Sequence, residues 1–376
     1  MVGQWDCRSA SQRLCERLLK GRGDRESLVV SDVPPELSTR DPVSMNTDQQ
    51  IGDLRELEAR FLAAPTLELA KEMIDLRIQG GPQATGGQIN WTEQHDNRFG
   101  EATGLPEIAA AELSVEALRA GILGKGGLIV RNVMNEQTVA HFRGCIEKSL
   151  SSPVRLGHSQ PGLEQGDAWF RRSPKVEGGA QGPARVRGGD LSATAGSVWA
   201  VDAPRTAADL IAFYQRMSLD TLLTEYFNEP ALLSVRKWVL RCVPPMKGGN
   251  KGWHQDGRFM GEGIRTVNLW IALSDCGEGM PAPGLELHAD NRRVIHETGT
   301  QGAFFDWTVG PELVAELERE APIVCPTFRA GDAIFFDHFS LHRTGEGPED
   351  SQSRYAVESW FFAASTAPAK QQPLLF

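Results

Sequence analysis

The chain has 376 residues, with 39 Lys plus Arg against 49 Asp plus Glu and a formal net charge of −10 at pH 7. That length accommodates a large core, and 40% hydrophobic against 23% charged residues excludes a disordered or fibrous polymer. The acidic balance argues against nucleic acid or anionic lipid as a partner, because phosphate backbones and headgroups recruit clustered Lys and Arg.

No apolar run approaches the roughly 18–20 residues of a membrane span, so no membrane partner is expected. At the N-terminus, Asp6, Arg8, Arg13, Glu16, Arg17, Lys20, Asp24 and Glu26 interrupt the apolar residues and leave no hydrophobic stretch for export. The expected location is cytoplasmic. Cys7, Cys15, Cys145, Cys242, Cys276 and Cys325 are widely spread, without a CxxC pair. Free thiols are expected, and a zinc-thiolate site is not.

Residues 1–105 are expected to form a helical N-terminal extension packed on the main domain or on a partner. Two charged helical stretches flank a polar segment, Asp32 to Asp48. The better helix runs from Asp53 to Arg77, where Leu54, Leu57, Phe61, Leu62, Leu67, Leu69, Met73 and Ile74 recur mostly at three- and four-residue steps. Gly80 to Gly104 reads as a connector. A helix capped by Ser114 and ended by the glycines from Gly121 to Gly127 follows, then a buried strand at Leu128-Ile129-Val130 and a helix from Asn135 or Glu136 to Leu150. The Gly-rich segment 151–197, with Arg155, Arg171, Arg172, Arg185 and Arg187, is a candidate lid or a loose surface insertion.

From Leu232 the pattern changes to short strands: Leu232 to Val243, Thr266 to Leu273, Ala333 to Phe336 after the Gly331-Asp332 turn, and Tyr355 to Phe362. Gly/Pro turns between them favour a jelly roll. The expected class is mainly β with flanking helices (α+β).

The informative residues are Trp253-His254-Gln255-Asp256-Gly257. Side chains two apart on an extended strand share a face, so His254 and Asp256 can aim at one point. His342, beyond the Ala333–Phe336 strand, is the candidate third ligand. Two histidines and a carboxylate form the facial triad of non-haem Fe(II) oxygenases, although a hydrolytic zinc site could use the same residues. Arg354 opens the strand after the Gly345-Glu346-Gly347-Pro348 turn, where its planar fork suits a carboxylate such as the distal group of 2-oxoglutarate.

His254-Gln255-Asp256, Trp270 within Asn268-Leu269-Trp270-Ile271-Ala272-Leu273, His342-Arg343-Thr344 and Arg354 together resemble the phytanoyl-CoA dioxygenase family of Fe(II)/2-oxoglutarate oxygenases. The resemblance covers roughly Leu113 to Phe362. It implies a double-stranded β-helix (jelly-roll, cupin-like) core in an oxygenase domain at 106–376, with His254, Asp256 and His342 as iron ligands. By the same resemblance Arg354 and Thr344 bind the distal carboxylate of 2-oxoglutarate and Trp270 lines that pocket. The implied reaction consumes O2 and 2-oxoglutarate, gives succinate and CO2 and hydroxylates a small organic substrate, with ascorbate as a possible reductant. Asp256 favours hydroxylation over halogenation, for which a small residue replaces the carboxylate. Gly277 to His288 departs from the family's Pro-Gly-Ser-His type sequence, which bears on the substrate pocket rather than the iron site.

Arg258 and Arg343 are candidate substrate contacts or surface charges. Lys237, Val239 and Arg241 alternate on one strand face, so a cation could reach the pocket, although solvent-facing charge is the preferred reading. His288, His296 and His338 are read as structural or at most pocket wall, and Phe304, Phe305, Trp307 and Phe328 as core rather than a substrate box. The alternatives are a non-catalytic jelly-roll binding protein, distinguished by a missing ligand or anchor, and a zinc hydrolase with Glu262 as its only nearby general base.

Overall fold

The computed structural model describes residues 47–376 except 90, 102–103, 156–167, 172–195, 245–251, 262, 289–293 and 346–351. The helical stretch expected before residue 46, nearly all of Asp32–Asp48, most of the Gly-rich segment, Glu262 and the turn beyond Gly345 lie outside the described residues.

The helix expected over Asp53–Arg77 is two helices, α1 (Thr47–Ala63) and α2 (Leu67–Gly80). Pro65 lacks the N–H that a continuous helix needs, and the Thr66 hydroxyl accepts the Leu69 N–H at 3.2 Å to start α2. These helices bury Leu54, Phe61, Ala70 and Met73 against Ala208, Leu232 and Leu375. Arg77, 3% exposed, donates to the Leu375 carbonyl at 2.7 Å and pairs with Glu58. Truncating one side of such a buried pair strands the other charge, so Arg77→Ala is expected to cost about 3 kcal/mol, read as a lower denaturant midpoint.

β1 (Glu107–Ala109) lies parallel to β2 (Leu128–Arg131). Between them α3 (Val115–Lys125) starts on the Ser114 hydroxyl, which accepts the Ala117 N–H, and ends at Gly126 with φ of 78°. α4 (Glu136–Leu150) is capped by Asn135. Next come β3 (Ser197–Trp199) and two helices not foreseen from sequence, α5 (Pro204–Arg216) and α6 (Leu219–Phe227).

The remaining elements are β4 (Ala231–Val243), α7 (Gly257–Met260), β5 (Thr266–Ala272), β6 (Leu285–His288), α8 (Pro311–Leu317), β7 (Ile323–Val324), β8 (Ala333–Phe336), β9 (His342–Thr344), β10 (Arg354–Ala363) and β11 (Pro373–Leu375). The long strands match expectation within a residue or so, whereas β11, which pairs with β4, was not foreseen. The turn before β8 needs its glycine: Gly331 has φ of 103°, and a Cβ there would meet the Met134 carbonyl oxygen at 2.3 Å.

Two sheets result. The larger runs β1-β2-β8-β5-β10-β4-β11, with β3 also on β4; the smaller runs β7-β6-β9, continued by an antiparallel bridge between His254 and His342. Strand alternation splits the larger sheet's side chains between two cores. Val267, Leu269, Ile271, Phe335, Val357 and Phe361 pack with the helices. Trp270, Ile334, Phe336, Ala356, Trp360 and Phe362 face Leu285 and Leu287 of the smaller sheet. This is a double-stranded β-helix with flanking helices, and its inter-sheet space holds the site.

The helix-side core closes on Tyr214, whose hydroxyl is 2.6 Å from Ser359 Oγ and accepts the Trp238 indole N–H at 3.4 Å. Burial raises this phenol to about 12 despite those bonds. An unfolded chain releases the proton near pH 10, so above that value the unfolded form binds fewer protons and stability falls as pH rises toward 12. Thermal melts of Tyr214→Phe should show a shallower alkaline decline than the parent.

Candidate functional site

β9 and the segment before α7 lie side by side, with His254 N–H donating to His342 O and His342 N–H to His254 O, both at 3.0 Å. This ladder locks the two imidazoles together, ring centroids 4.4 Å apart. Asp256 follows two residues after His254, with its Oδ1 3.6 Å from His254 Nε2. Candidate ligand atoms of His254, Asp256 and His342 all lie within 4.8 Å of one another. The expected triad is therefore gathered at one point.

The orientation of each ring is set by the backbone. His254 Nδ1 is 2.7 Å from Gly252 O, and His342 Nδ1 is 3.0 Å from Ser340 O. A carbonyl only accepts, so each Nδ1 donates to its carbonyl and each Nε2 is the nitrogen turned to the common point, the orientation of a metal-ligating histidine. Burial, and then His342, lowers the His254 imidazole to about 4, which keeps it neutral near pH 7. Burial acts to raise the Asp256 carboxyl, but the Lys237 ammonium beside it outweighs burial and holds the group ionised. A neutral His254 nitrogen and an anionic Asp256 oxygen suit a divalent ion.

Around the triad the sequence Gln255 and Gly257 supply the scaffold. Gln255 donates to Phe339 O at 2.6 Å and accepts the Ile295 N–H at 2.7 Å. A Cβ at Gly257 would lie 3.0 Å from the His338 ring.

A second cluster of expected site residues lies one step along β9. Thr344 shares a strand face with His342, two residues or roughly 6–7 Å on. Its hydroxyl accepts from Arg354 Nη2 at 3.2 Å. Arg354, 2% exposed, also donates through Nη1 to Gly284 O at 2.6 Å and lies over the Trp270 ring at 5.5 Å. Among the described residues no carboxylate pairs with it, and its Nε has no partner. Burial lowers its guanidinium to about 10. A guanidinium buried in this way is a candidate binding group for an anion. Arg354, Thr344 and Trp270 thus come together as expected, and Phe328 backs Trp270 at 5.1 Å.

Other expectations change. Lys237 is not solvent-facing: its Nζ contacts both Asp256 oxygens at 3.1 and 3.2 Å and lies 3.9 Å from Glu358. Arg241 completes the row at 2.5 Å from Glu358. The alternation Lys237-Val239-Arg241 was the available signal, but only the fold shows that this face of β4 is the inner one. Phe328 is core, whereas Phe304, Phe305 and Trp307 are 63%, 47% and 39% exposed. Trp307 stands edge-on to His254 at 5.4 Å and to Phe259 at 5.8 Å, and stacks on Phe305 at 5.2 Å. These three belong to the mouth of the site, not to the core.

Arg343 points to the opposite face of β9, held by Glu286 at 2.6 Å over the Trp253 ring. Arg258 is exposed on α7, where its Nε donates to Thr298 Oγ1 at 3.0 Å. His288 bonds Leu317 O and His338 bonds Thr266 Oγ1, both structural, while His296 is exposed. No helix among the described residues is long and apolar enough to cross a membrane.

Solved structures similar to this chain include AviO1 from Streptomyces viridochromogenes Tue57, with 17% identity over 65% of this chain and 92% of that one and a TM-score of 0.39. SnoK, a non-haem alpha-ketoglutarate-dependent carbocyclase from nogalamycin biosynthesis, shows 18% identity over 69% and 88%, at 0.43. EctD from S. alaskensis, solved with 2-oxoglutarate and 5-hydroxyectoine, shows 15% over 75% and 80%, at 0.39. No curated protein matches by sequence. The model of the phytanoyl-CoA dioxygenase (PhyH) family, whose members use Fe(II) and 2-oxoglutarate, matches residues 124–354, more than half the chain and the stretch that carries His254, Asp256, His342, Thr344 and Arg354. The chain belongs to the phytanoyl-CoA dioxygenase family of non-haem Fe(II)/2-oxoglutarate-dependent enzymes.

Proposed function

We propose that this oxygenase hydroxylates a small organic substrate, holding Fe(II) with His254, Asp256 and His342 and 2-oxoglutarate with Arg354 and Thr344. The observation that carries the reading is Arg354: a buried guanidinium with no carboxylate partner among the described residues, joined through Thr344 to the strand of His342. A buried cation so placed is stabilised by a dicarboxylate that reaches from the triad to the fork. Iron, with 2-oxoglutarate and O2, supplies the oxidising power, as succinate and CO2 are released.

The residues of the chain orient and shield. Trp270 forms the apolar side of the 2-oxoglutarate pocket. Lys237 fixes the Asp256 carboxylate, leaving His254 Nε2 and Asp256 Oδ1 turned toward each other. Phe259, Trp307 and Phe305 make the wall against which an apolar or planar part of the substrate rests, and Arg258 stands beside that wall for an acidic substituent. Arg343 would have to leave Glu286 to take part, so it is assigned no contact. Residues 1–105 are read as an extension of the oxygenase domain at 106–376. Ascorbate is expected only as a reductant that keeps iron ferrous.

The deciding experiment is an anaerobic titration of the Fe(II)-loaded protein with 2-oxoglutarate, which needs no substrate. A visible charge-transfer band that saturates at one equivalent is expected. Its absence, together with no succinate formed in air, rejects the reading.

A further inference from the structure

We propose that His141, Cys145 and Asp209 form a second metal site, for a zinc-class divalent cation, between α4 and α5 and separate from the His254 triad. His141 and Cys145 are four residues apart and so share one face of α4, while Asp209 faces them from α5. His141 Nε2 is 3.0 Å from Asp209 Oδ2 and 3.6 Å from Cys145 Sγ, and candidate ligand atoms of all three lie within 4.8 Å of one another. Tetrahedral zinc, with bonds of about 2.0 Å to nitrogen and oxygen and about 2.3 Å to sulfur, has N–O and N–S edges of about 3.3 and 3.5 Å. The spacing of these side chains is close to that of a zinc coordination shell.

A nucleophilic Cys–His–Asp relay fits less well. Such a relay uses both ring nitrogens of the histidine, one toward the nucleophile and one toward the carboxylate. Here sulfur and carboxylate both approach Nε2, which has one proton or one lone pair to offer. A cation at the common focus satisfies all three. Arg205, held over the Phe61 ring, lies 3.3 Å from Asp209 and helps fix the position of that carboxylate.

Three protein ligands leave a fourth position. His141 and Asp209 line a cleft of about 320 Å³ with Phe61, Gln137, Thr138 and Arg216, which has room for a water or a small ligand there. The thiolate selects a softer ion than the triad does. The lack of a CxxC motif therefore did not exclude a zinc-thiolate site, because the partners come from one helix face and a residue 64 positions further along.

Cobalt(II) reports thiolate ligation directly, since sulfur-to-cobalt charge transfer absorbs in the near ultraviolet and the triad contains no sulfur. With the reduced full-length protein, one equivalent of Co(II) should develop that band, zinc should abolish it, and His254→Ala should retain it. Cys145→Ser and His141→Ala should each lose it. The second variant changes a half-exposed side chain, so it tests the site even if the buried Cys145 position does not tolerate serine. No band in the parent, or a full band in His141→Ala or in a folded Cys145→Ser, overturns the proposal.

Discussion

His342→Ala is expected to leave a folded protein that no longer retains Fe(II). His342 supplies one of three candidate ligands, and its backbone bonds to His254 at 3.0 Å do not depend on the side chain, so the ladder survives the substitution. Loss of a mere outer-shell partner typically weakens metal binding by about 10–100-fold, and loss of a direct ligand should exceed that. Iron content after gel filtration and the anaerobic 2-oxoglutarate band measure it. Asp256→Ala should behave alike, with the added cost of leaving Lys237 without its carboxylate. Stoichiometric iron with an unchanged band in His342→Ala would remove this histidine from the metal centre.

Arg354→Met should retain iron and lose 2-oxoglutarate. The guanidinium is 2% exposed, so its interaction with a carboxylate is little screened. Truncating one side of a buried, hydrogen-bonded charge pair costs about 2–5 kcal/mol, a fall in affinity of about 30-fold or more. Specificity gives the sharper readout: the parent should strongly prefer 2-oxoglutarate to 2-oxopentanoate, which lacks the distal carboxylate, and the variant should lose that preference. Thr344→Val provides a milder check. It removes one neutral hydroxyl at 3.2 Å from Nη2, worth about 1 kcal/mol, so a several-fold weaker binding is expected. Unchanged discrimination in Arg354→Met would place the distal carboxylate elsewhere.

Legibility along the chain tracked the range of the interactions involved. Strands such as Thr266–Ala272 and Ala333–Phe336 could be read because a buried strand is a short apolar run between Gly/Pro turns. Ser114 and Asn135 announced their helices because capping is a contact across three residues. The break at Pro65 is equally local, but the apolar spacing continues across it and masks it. The helices Pro204–Arg216 and Leu219–Phe227 and the strand Pro373–Leu375 went unforeseen. α5 carries a clear amphipathic pattern behind Pro204, with Ala207, Leu210, Ile211 and Tyr214 at three- and four-residue steps, and so was legible in the sequence, whereas β11 is short and gains its stability from pairing with β4.

By itself the sequence determined the ligand types and their local pairing: His254 and Asp256 two apart, His342 and Thr344 two apart, Arg354 at a strand start. These are consequences of strand periodicity and of residue chemistry, both of which act within a few positions. Only the tertiary structure decided which faces look inward. That is why Lys237 meets Asp256 instead of water, why Trp307 stands exposed beside His254 instead of in the core, and why His141, Cys145 and Asp209 converge. Each of those outcomes depends on contacts between segments far apart in the chain, where the free energy comes from packing whole sheets and helices together and not from any pattern within one of them.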